Sequence, residues 1–458
     1  MSVLKCFDGL VSVISDFIAR EMEAVMNLNA PRGTRDILPE EAEQRRALER
    51  TFSDVCERYG FGEIRVPTFE HTELFVRGVG DASDIVRKEM YTFTDKGDRS
   101  LTLRPEGTAG VARAYVEQGM SSWPAPVKLW YNMNMFRYEK MQKGRYREFW
   151  QLGCEVFGSD SPQADAQVIG LLDTFFAELG LEEVDLEINS IGCPACRTDY
   201  HKALREYYAP NVKDMCEDCH ERYERNPLRM LDCKEMYCQS LAKKAPSQLD
   251  YLCDECRVHF DNVKSYLDMM EISYRLNTRL VRGLDYYTKT VFEFVSSHVG
   301  TQGTICGGGR YDGLVREIGG IDVPGVGFAL GVERLLLELD AQNVPAGKVQ
   351  RPDLFIASFP STAANALDLA QSLIRSGLKV ETDVMGRSLK AQFKAADRME
   401  AYYVLVLGDT EVSISRGKLR RLSDGSEQDV PLTAVGTLLH NDRKKRSVAE
   451  TEEVRFEL

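Results

Sequence analysis

The stretch Trp130–Gly158, WYNMNMFRYEKMQKGRYREFWQLGCEVFG, constrains the fold more than any other part of the chain. Its periodicity predicts two strands around a basic loop. Between Glu139 and Glu148 the loop holds Lys140, Lys143, Arg145 and Arg147 and no carboxylate. Along the second strand Tyr146, Trp150, Leu152, Cys154 and Val156 fall on one face, which is apolar apart from Glu148. Arg147, Phe149, Gln151, Gly153 and Glu155 fall on the other. One pleated face therefore carries Arg, Gln and Glu in a row, and Gly153 opens space between them. On the first strand Arg137 shares parity with Met133 and Met135, and an arginine ending a buried row needs an anion. A solvated hairpin explains the alternation. It does not explain an inward arginine near a Gln and a Glu.

The remaining sequence supplies the frame. A chain of 458 residues is long enough for two to four domains. Asn29–Ile37 is a turn-rich entry. Leu38-Pro39-Glu40-Glu41 then starts a helix with Pro in its first turn and acids just behind it. That helix ends at Gly60-Phe61-Gly62, and Glu63–Phe69 reads as a strand containing Pro67. Lys88–Thr94 and Ser100–Arg104 read as a hairpin, and Pro105-Glu106-Gly107-Thr108 caps the helix after it. Ser161–Gly180 is a helix, Val184–Ser190 a strand, and Ile272–Leu280 again has strand character. The first 26 residues read as a frayed amphipathic helix. No cleavage site for a signal peptide follows it, and Met22 and Met26 are alternative starts. No apolar run reaches 18 residues, so no membrane span is expected.

Between Gly192 and about Ile272 the pattern turns helical and charged. Eight of the twelve cysteines lie there. Cys193/Cys196, Cys216/Cys219 and Cys253/Cys256 are C-x-x-C pairs, and nineteen residues separate Cys196 from Cys216, which fits a four-cysteine zinc site. Structural zinc is therefore an expectation for this inserted domain, against the alternative of small buried thiols in helices.

Three further segments carry chemistry: RGLDYY at Arg282–Tyr287, GGGRYDGL at Gly307–Leu314, and GVGFALGVERLLLEL at Gly325–Leu339. In the last, Arg334 sits near a helix start, where the dipole disfavours a cation and an anionic partner compensates. After a linker, alternating strands and helices from Asp353 to Leu407 predict a small α/β domain with a mixed or parallel sheet. From Arg351 onward the chain holds 16 basic and 16 acidic residues, whereas the whole protein carries a net charge of −13. The least acidic part thus lies at the end, which suits a phosphate-rich partner.

FRYEKMQKGRYREFWQLGCEVFG resembles motif 2 of class II aminoacyl-tRNA synthetases, in the form of the histidyl-tRNA synthetases. RGLDYY and GGGRYDGL resemble that family's two histidine signatures, the helix–strand–Pro pattern its motif 1, and the Arg334 segment its motif 3. The resemblance runs from Ala30 to about Pro431. It implies an α+β catalytic domain with an antiparallel sheet over 29–345, a helical Cys-rich insertion over about 192–272, and a C-terminal anticodon-binding domain over 350–440. Residues 1–28 are then an extension and 441–458 a charged tail.

The resemblance also implies an activity: ATP-dependent ligation of L-histidine to tRNA(His) through histidyl-adenylate, in a cytoplasmic homodimer. Glu106, Gly107 and Thr108 would receive the histidine ammonium. Gln151 and Arg282 would hold its carboxylate. Glu155 and Tyr287 would pair with the imidazole, and Tyr286 would wall it. Arg137, Glu139, Arg145 and Arg334 would bind ATP with Mg²⁺, and Arg137 and Arg282 would be catalytic. Zinc is not required for the family's chemistry. The alternatives are a catalytically reduced regulatory or tRNA-sensing relative, whose signatures erode, and a class II synthetase for another amino acid, which RGLDYY argues against.

Overall fold

The computed structural model describes residues 29–80, 83–298, 303–345, 347 and 351–456, with side chains as far as 446. The expectations for residues 1–28 lie outside that range. The chain forms two compact units, Met1–Lys348 and Val349–Leu458. No helix among the described residues is long and apolar enough to cross a membrane.

Among the described residues the first unit has eleven strands: β1 (Gly62–Glu63), β2 (Phe69–His71), β3 (Thr92–Thr94), β4 (Ser100–Leu103), β5 (Val127–Phe136), β6 (Glu148–Phe157), β7 (Asp185–Ser190), β8 (Arg275–Leu276), β9 (Thr288–Val295), β10 (Thr304–Arg310) and β11 (Gly325–Gly331). Eight of them form one sheet in the order β1-β5-β6-β11-β10-β9-β7-β8, and β2, β4 and β3 form a small second one. The large sheet is antiparallel through its centre and parallel at both margins.

The alternation along β6 decides which face does what. Leu152, Cys154 and Val156 are buried under the helices Pro39–Arg58 and Pro162–Glu178, where the Phe52 ring lies 5.2 Å from Phe175 and 6.2 Å from Phe328. Burying these side chains supplies most of the drive to close that layer. Gln151, Gly153 and Glu155 point to the opposite face, beside Tyr131, Met133 and Met135 of β5. The helices start as local chemistry dictates. Pro39 opens the first with Glu40 and Glu41 in its first turn, and the Ser161 hydroxyl accepts from the Gln163 N–H at 3.3 Å at the start of the second.

Three expected strands are shorter than their composition suggests. Residues 64–68 form no strand, because the Arg104 guanidinium takes the carbonyls of Val66 and Pro67 at 2.7 and 3.1 Å and Pro67 has no N–H to offer. Residues 85–89 form a helical turn, so the hairpin begins at Thr92. Of 272–280 only Arg275–Leu276 pairs, along Glu187 and Ile188.

Between β7 and β8 the chain is helical throughout: Pro194–Tyr208, Glu217–Arg225, Met236–Ala242 and Asp254–Met269, joined by short turns. The structure corrects the pairing of cysteines here. Cys193 and Cys196 meet Cys253 and Cys256, while Cys216 and Cys219 meet Cys233 and Cys238. A 15-residue helix about 22 Å long leads the chain away from Cys196 before Cys216 is reached, so short sequence spacing does not become proximity.

The second unit holds β12 (Leu354–Ser358), β13 (Val380–Thr382), β14 (Tyr403–Leu407), β15 (Arg416–Arg421) and β16 (Glu427–Pro431), in the order β13-β12-β14-β15-β16. The first three are parallel and the last two antiparallel. Residues 441–456 continue the helix Val435–Phe456 rather than forming a separate tail. Val435 and Leu439 anchor that helix in the core, and Arg446 pairs with Asp353 at 2.8 Å while covering the Tyr402 ring at 3.5 Å.

Candidate active site

The polar face of the sheet is cleared of bulk in register. Gly327 stands opposite Glu155, Ala329 opposite Gly153 and Gly331 opposite Gln151, and Gly307 lies between Ala329 and Glu293. The space so opened is used at once. A Cβ at Gly327 would stand 1.9 Å from Glu155 Oε2, and one at Gly307 would stand 2.3 Å from the Arg282 guanidinium. Above this floor lies a cavity of 370 Å³. Glu106, Thr108, Arg137, Glu139, Arg145, Gln151, Arg282, Tyr286, Tyr287 and Arg334 all line it. Gly107 and Glu155 lie behind that lining. Gly107 makes room for the Tyr131 phenol, which a Cβ there would meet at 2.5 Å.

Glu155 is fully buried and ringed by hydroxyls. Thr108 and Tyr131 donate to Oε1 at 2.7 and 3.4 Å, and Tyr311 donates to Oε2 at 2.5 Å. Burial pushes its carboxyl up to about 8 despite these donors. Glu106 caps its own helix, accepting from the Thr108 and Ala109 N–H groups at 2.8 Å each, so the simple cap is present. A carboxylate keeps further lone pairs beyond those two bonds, and Glu106 also lines the cavity. Burial raises its carboxyl above the usual range as well.

The cations are held at their stems. Arg137 donates Nε to the Pro105 carbonyl at 2.7 Å and packs over Phe149 at 5.3 Å. Glu139 lies 3.6 Å from Arg137 and 3.2 Å from Arg145. Arg334 donates to the Thr304 carbonyl; burial, and then the charge of Arg145, lowers it to about 10. Arg282 pairs with Glu293 and lies 5.7 Å from the Tyr287 ring centre. Burial works against its charge, and the Glu293 carboxylate more than reverses that. Two buried atoms lining this cavity have no hydrogen-bond partner, Gln151 Oε1 and Arg282 Nε. Buried polar atoms are ordinarily hydrogen-bonded, so each can take a further partner within the cavity.

Two residues of this network escaped the sequence. Tyr131 has the parity of Met133, Met135 and Arg137, so its inward direction was legible although its partner was not. Tyr311 lies within GGGRYDGL, where the neighbouring Arg310 draws attention first. Arg310 is structural: fully buried, it pairs with Asp165, lies 3.1 Å from Asp312 and donates to the Ser159 carbonyl at 2.8 Å. That fork fixes the strand end carrying Tyr311. The Tyr286 ring packs 4.6 Å from Tyr287 and 5.8 Å from Tyr311, which completes an aromatic wall.

Comparison with known proteins gives this geometry a lineage. The histidyl-tRNA synthetase family matches residues 33–335, and the anticodon binding domain family matches residues 354–441. The chain is 50% identical over 411 residues to a histidine–tRNA ligase of Acetivibrio thermocellus, across 90% of this chain and 99% of that one. It is 51% identical over 403 residues to the ligase of Desulforamulus reducens, across 88% and 96%. The crystal structure of apo S. aureus histidyl-tRNA synthetase matches with a TM-score of 0.76 at 38% identity, covering 90% of this chain and 99% of that one. With its antiparallel-centred catalytic sheet, its orphaned polar atoms in a cation-lined cavity and its C-terminal α/β domain, the chain belongs to the histidyl-tRNA synthetase family of class II aminoacyl-tRNA synthetases.

Proposed function

We propose that this cavity ligates L-histidine to tRNA(His) at the expense of ATP, as the names of its relatives describe, and that the residues lining it divide the work as follows. Arg282 takes the histidine carboxylate, its unpartnered buried Nε–H being the single observation that carries the assignment, and Gln151 donates to the same carboxylate through its amide N–H. Glu106 and the Thr108 hydroxyl take the ammonium. A neutral imidazole has one donor and one acceptor. Glu155 accepts from its N–H once the ring displaces the Tyr131 hydroxyl, whose 3.4 Å contact is the longest of the three. Tyr287 donates to the other nitrogen.

In the first step a carboxylate oxygen of histidine attacks the α-phosphorus of ATP, the bond to the bridging oxygen breaks, and pyrophosphate leaves. This step needs alignment and charge stabilisation more than covalent help. Arg137 meets the α-phosphate, and Arg145 and Arg334 meet the outer phosphates. Glu139, beside the phosphate arginines, would be the carboxylate that holds a Mg²⁺ bound with ATP, and that ion would supply neutralisation of phosphate charge. In the second step a hydroxyl of the terminal ribose of tRNA attacks the activated carbonyl and AMP leaves. The C-terminal unit recognises the tRNA far from the acceptor end. A homodimer joined through the region resembling motif 1, in the cytoplasm, completes the proposal.

ATP–pyrophosphate exchange over a panel of amino acids tests it. Exchange should require histidine, and tRNA(His) should become charged. Exchange supported by another amino acid, or none with histidine, overturns the assignment. A regulatory relative without catalysis would fail both assays.

A further inference from the structure

The eight cysteines of the insertion are used by nothing described so far, yet they are not scattered. Cys193, Cys196, Cys253 and Cys256 bring their sulfurs within 4.8 Å of one another, and so do Cys216, Cys219, Cys233 and Cys238. Cys193–Cys196 and Cys216–Cys233 have Sγ···Sγ distances of 3.6 Å. Four thiolates about 2.3 Å from one tetrahedral zinc stand about 3.8 Å apart. In the first cluster Cys193 and Cys253 cap the starts of Pro194–Tyr208 and Asp254–Met269, and Cys196 and Cys256 lie one turn in, so two helix N-termini converge on the four sulfurs. The Cys253 N–H donates to Cys196 Sγ at 3.1 Å, which suits a thiolate. Gly192, at φ +64°, keeps the approach open, because a Cβ there would stand 2.6 Å from Cys196 Cβ. Cys216 repeats the arrangement at the start of Glu217–Arg225, with Cys219 one turn in. Cysteines serving only as buried hydrophobes would face aliphatic side chains, whereas here sulfur faces sulfur. An iron–sulfur cluster needs room for several metal atoms between its thiolates, and these separations leave room for one ion.

Both clusters are tied to the histidine signature. Arg197, next to Cys196, donates to the Tyr287 carbonyl, and the Lys289 N–H donates to the Gly192 carbonyl at 2.9 Å. On the other side, Arg229 lies between Cys219 and Cys233 and donates to the Arg282 carbonyl at 2.8 Å, while Asn226 donates to Asp285 at 2.9 Å. Arg282–Tyr287 is thus suspended between two insertion segments, each closed by four cysteines.

We propose that the insertion holds two structural zinc ions, one on Cys193/Cys196/Cys253/Cys256 and one on Cys216/Cys219/Cys233/Cys238, and that together they hold Arg282–Tyr287 in its place at the cavity. The second half rests on the assignment of that segment to histidine, so metal content and histidine kinetics are measured separately. Full-length protein from zinc-supplemented cells, purified under reducing conditions without chelator, should contain two zinc ions per chain by elemental mass spectrometry. Cys253→Ser and Cys233→Ser should each lower that to one. If either variant fails to fold, cobalt exchange into the parent decides, since tetrathiolate sites give intense thiolate-to-cobalt absorption. Zinc far below one per chain with no cobalt spectrum, iron in its place, or disulfides among these cysteines overturns the sites. Stripping the zinc with a chelator should raise KM for histidine about tenfold or more in exchange while KM for ATP moves little. An unchanged KM for histidine after complete removal overturns the link to the active site.

Discussion

Tyr131 lies directly across the sheet from Gly153, and a Cβ added at Gly153 would stand 2.2 Å from the Tyr131 ring. The phenol fills the room that the glycine leaves and delivers its hydroxyl to Glu155. Gly153→Ala should therefore displace the ring. Overpacking of this kind costs about 1–3 kcal/mol. Thermal unfolding should register that loss, and exchange kinetics should show a higher KM for histidine with little change for ATP.

Arg282→Lys keeps a charge and loses the planar fork that holds Glu293 and, in the proposed function, the substrate carboxylate. The fold should persist, because Gly307 only gains space. Histidine-dependent ATP–pyrophosphate exchange should fall by about 100-fold or more, the scale for losing a charge-stabilising donor. Exchange within a few-fold of the parent would place Arg282 away from the reacting centre.

Glu155 makes stability depend on pH in a stated direction. Its carboxyl is raised from 4.5 to about 8 by burial, so the folded protein binds this proton more tightly than the unfolded chain. The contribution is complete below pH 4.5 and is lost as pH rises through about 8. The parent should lose melting temperature between pH 5.5 and 8.5, and Glu155→Gln should lose less. Glu106 is raised in the same direction and contributes to the Glu155 shift, so the difference between the two proteins reports Glu155 together with that coupling. The same variant, assayed above pH 8 where the Glu155 carboxyl is ionised, should weaken histidine use by about 1.5–3 kcal/mol, the worth of a charge-assisted bond. An unchanged kcat/KM for histidine would leave Glu155 a purely structural role.

Arg310→Met should be costly because it strands Asp165, which is fully buried and left with His259 at 3.3 Å. Removing one member of such a pair costs about 3–5 kcal/mol. Urea unfolding should show that loss. Histidine-dependent exchange should drop with it, since Tyr311 follows Arg310 on the chain.

Deleting everything after Val349 should separate the two chemical steps. Every residue assigned to histidine or ATP lies in the first unit, and the second unit has its own core. Adenylate formation should survive, charging of tRNA(His) should fall far more, and tRNA binding should lose part of its salt dependence. Equal charging by the truncated and full chains would make the tail a dimerisation module.

Local pattern carried much of this structure. The alternation of β6 placed Gln151 and Glu155 on one face, and the basic turn after Arg137 marked the cavity. What stayed hidden was register between distant segments. Nothing near Glu155 announces that Gly327 faces it or that the Tyr311 hydroxyl reaches it, since those partners lie far along the chain. Arg104 reads as the end of a strand, and only the fold reveals that it takes the carbonyls of Val66 and Pro67. The cysteines failed for the same reason: spacing suggested neighbours, and a helix separated them.

The pairing of β6 with β11 has a consequence for synthesis. On the ribosome β6 emerges early, and the whole insertion must be translated before β11 arrives to cover its open edge. Throughout that interval β6, paired with β5 on one side, keeps its other edge open, the kind of edge that attracts other nascent chains. The helix Pro162–Glu178 follows β6 directly and packs on its apolar face, so it shields the nascent half until the last strand docks.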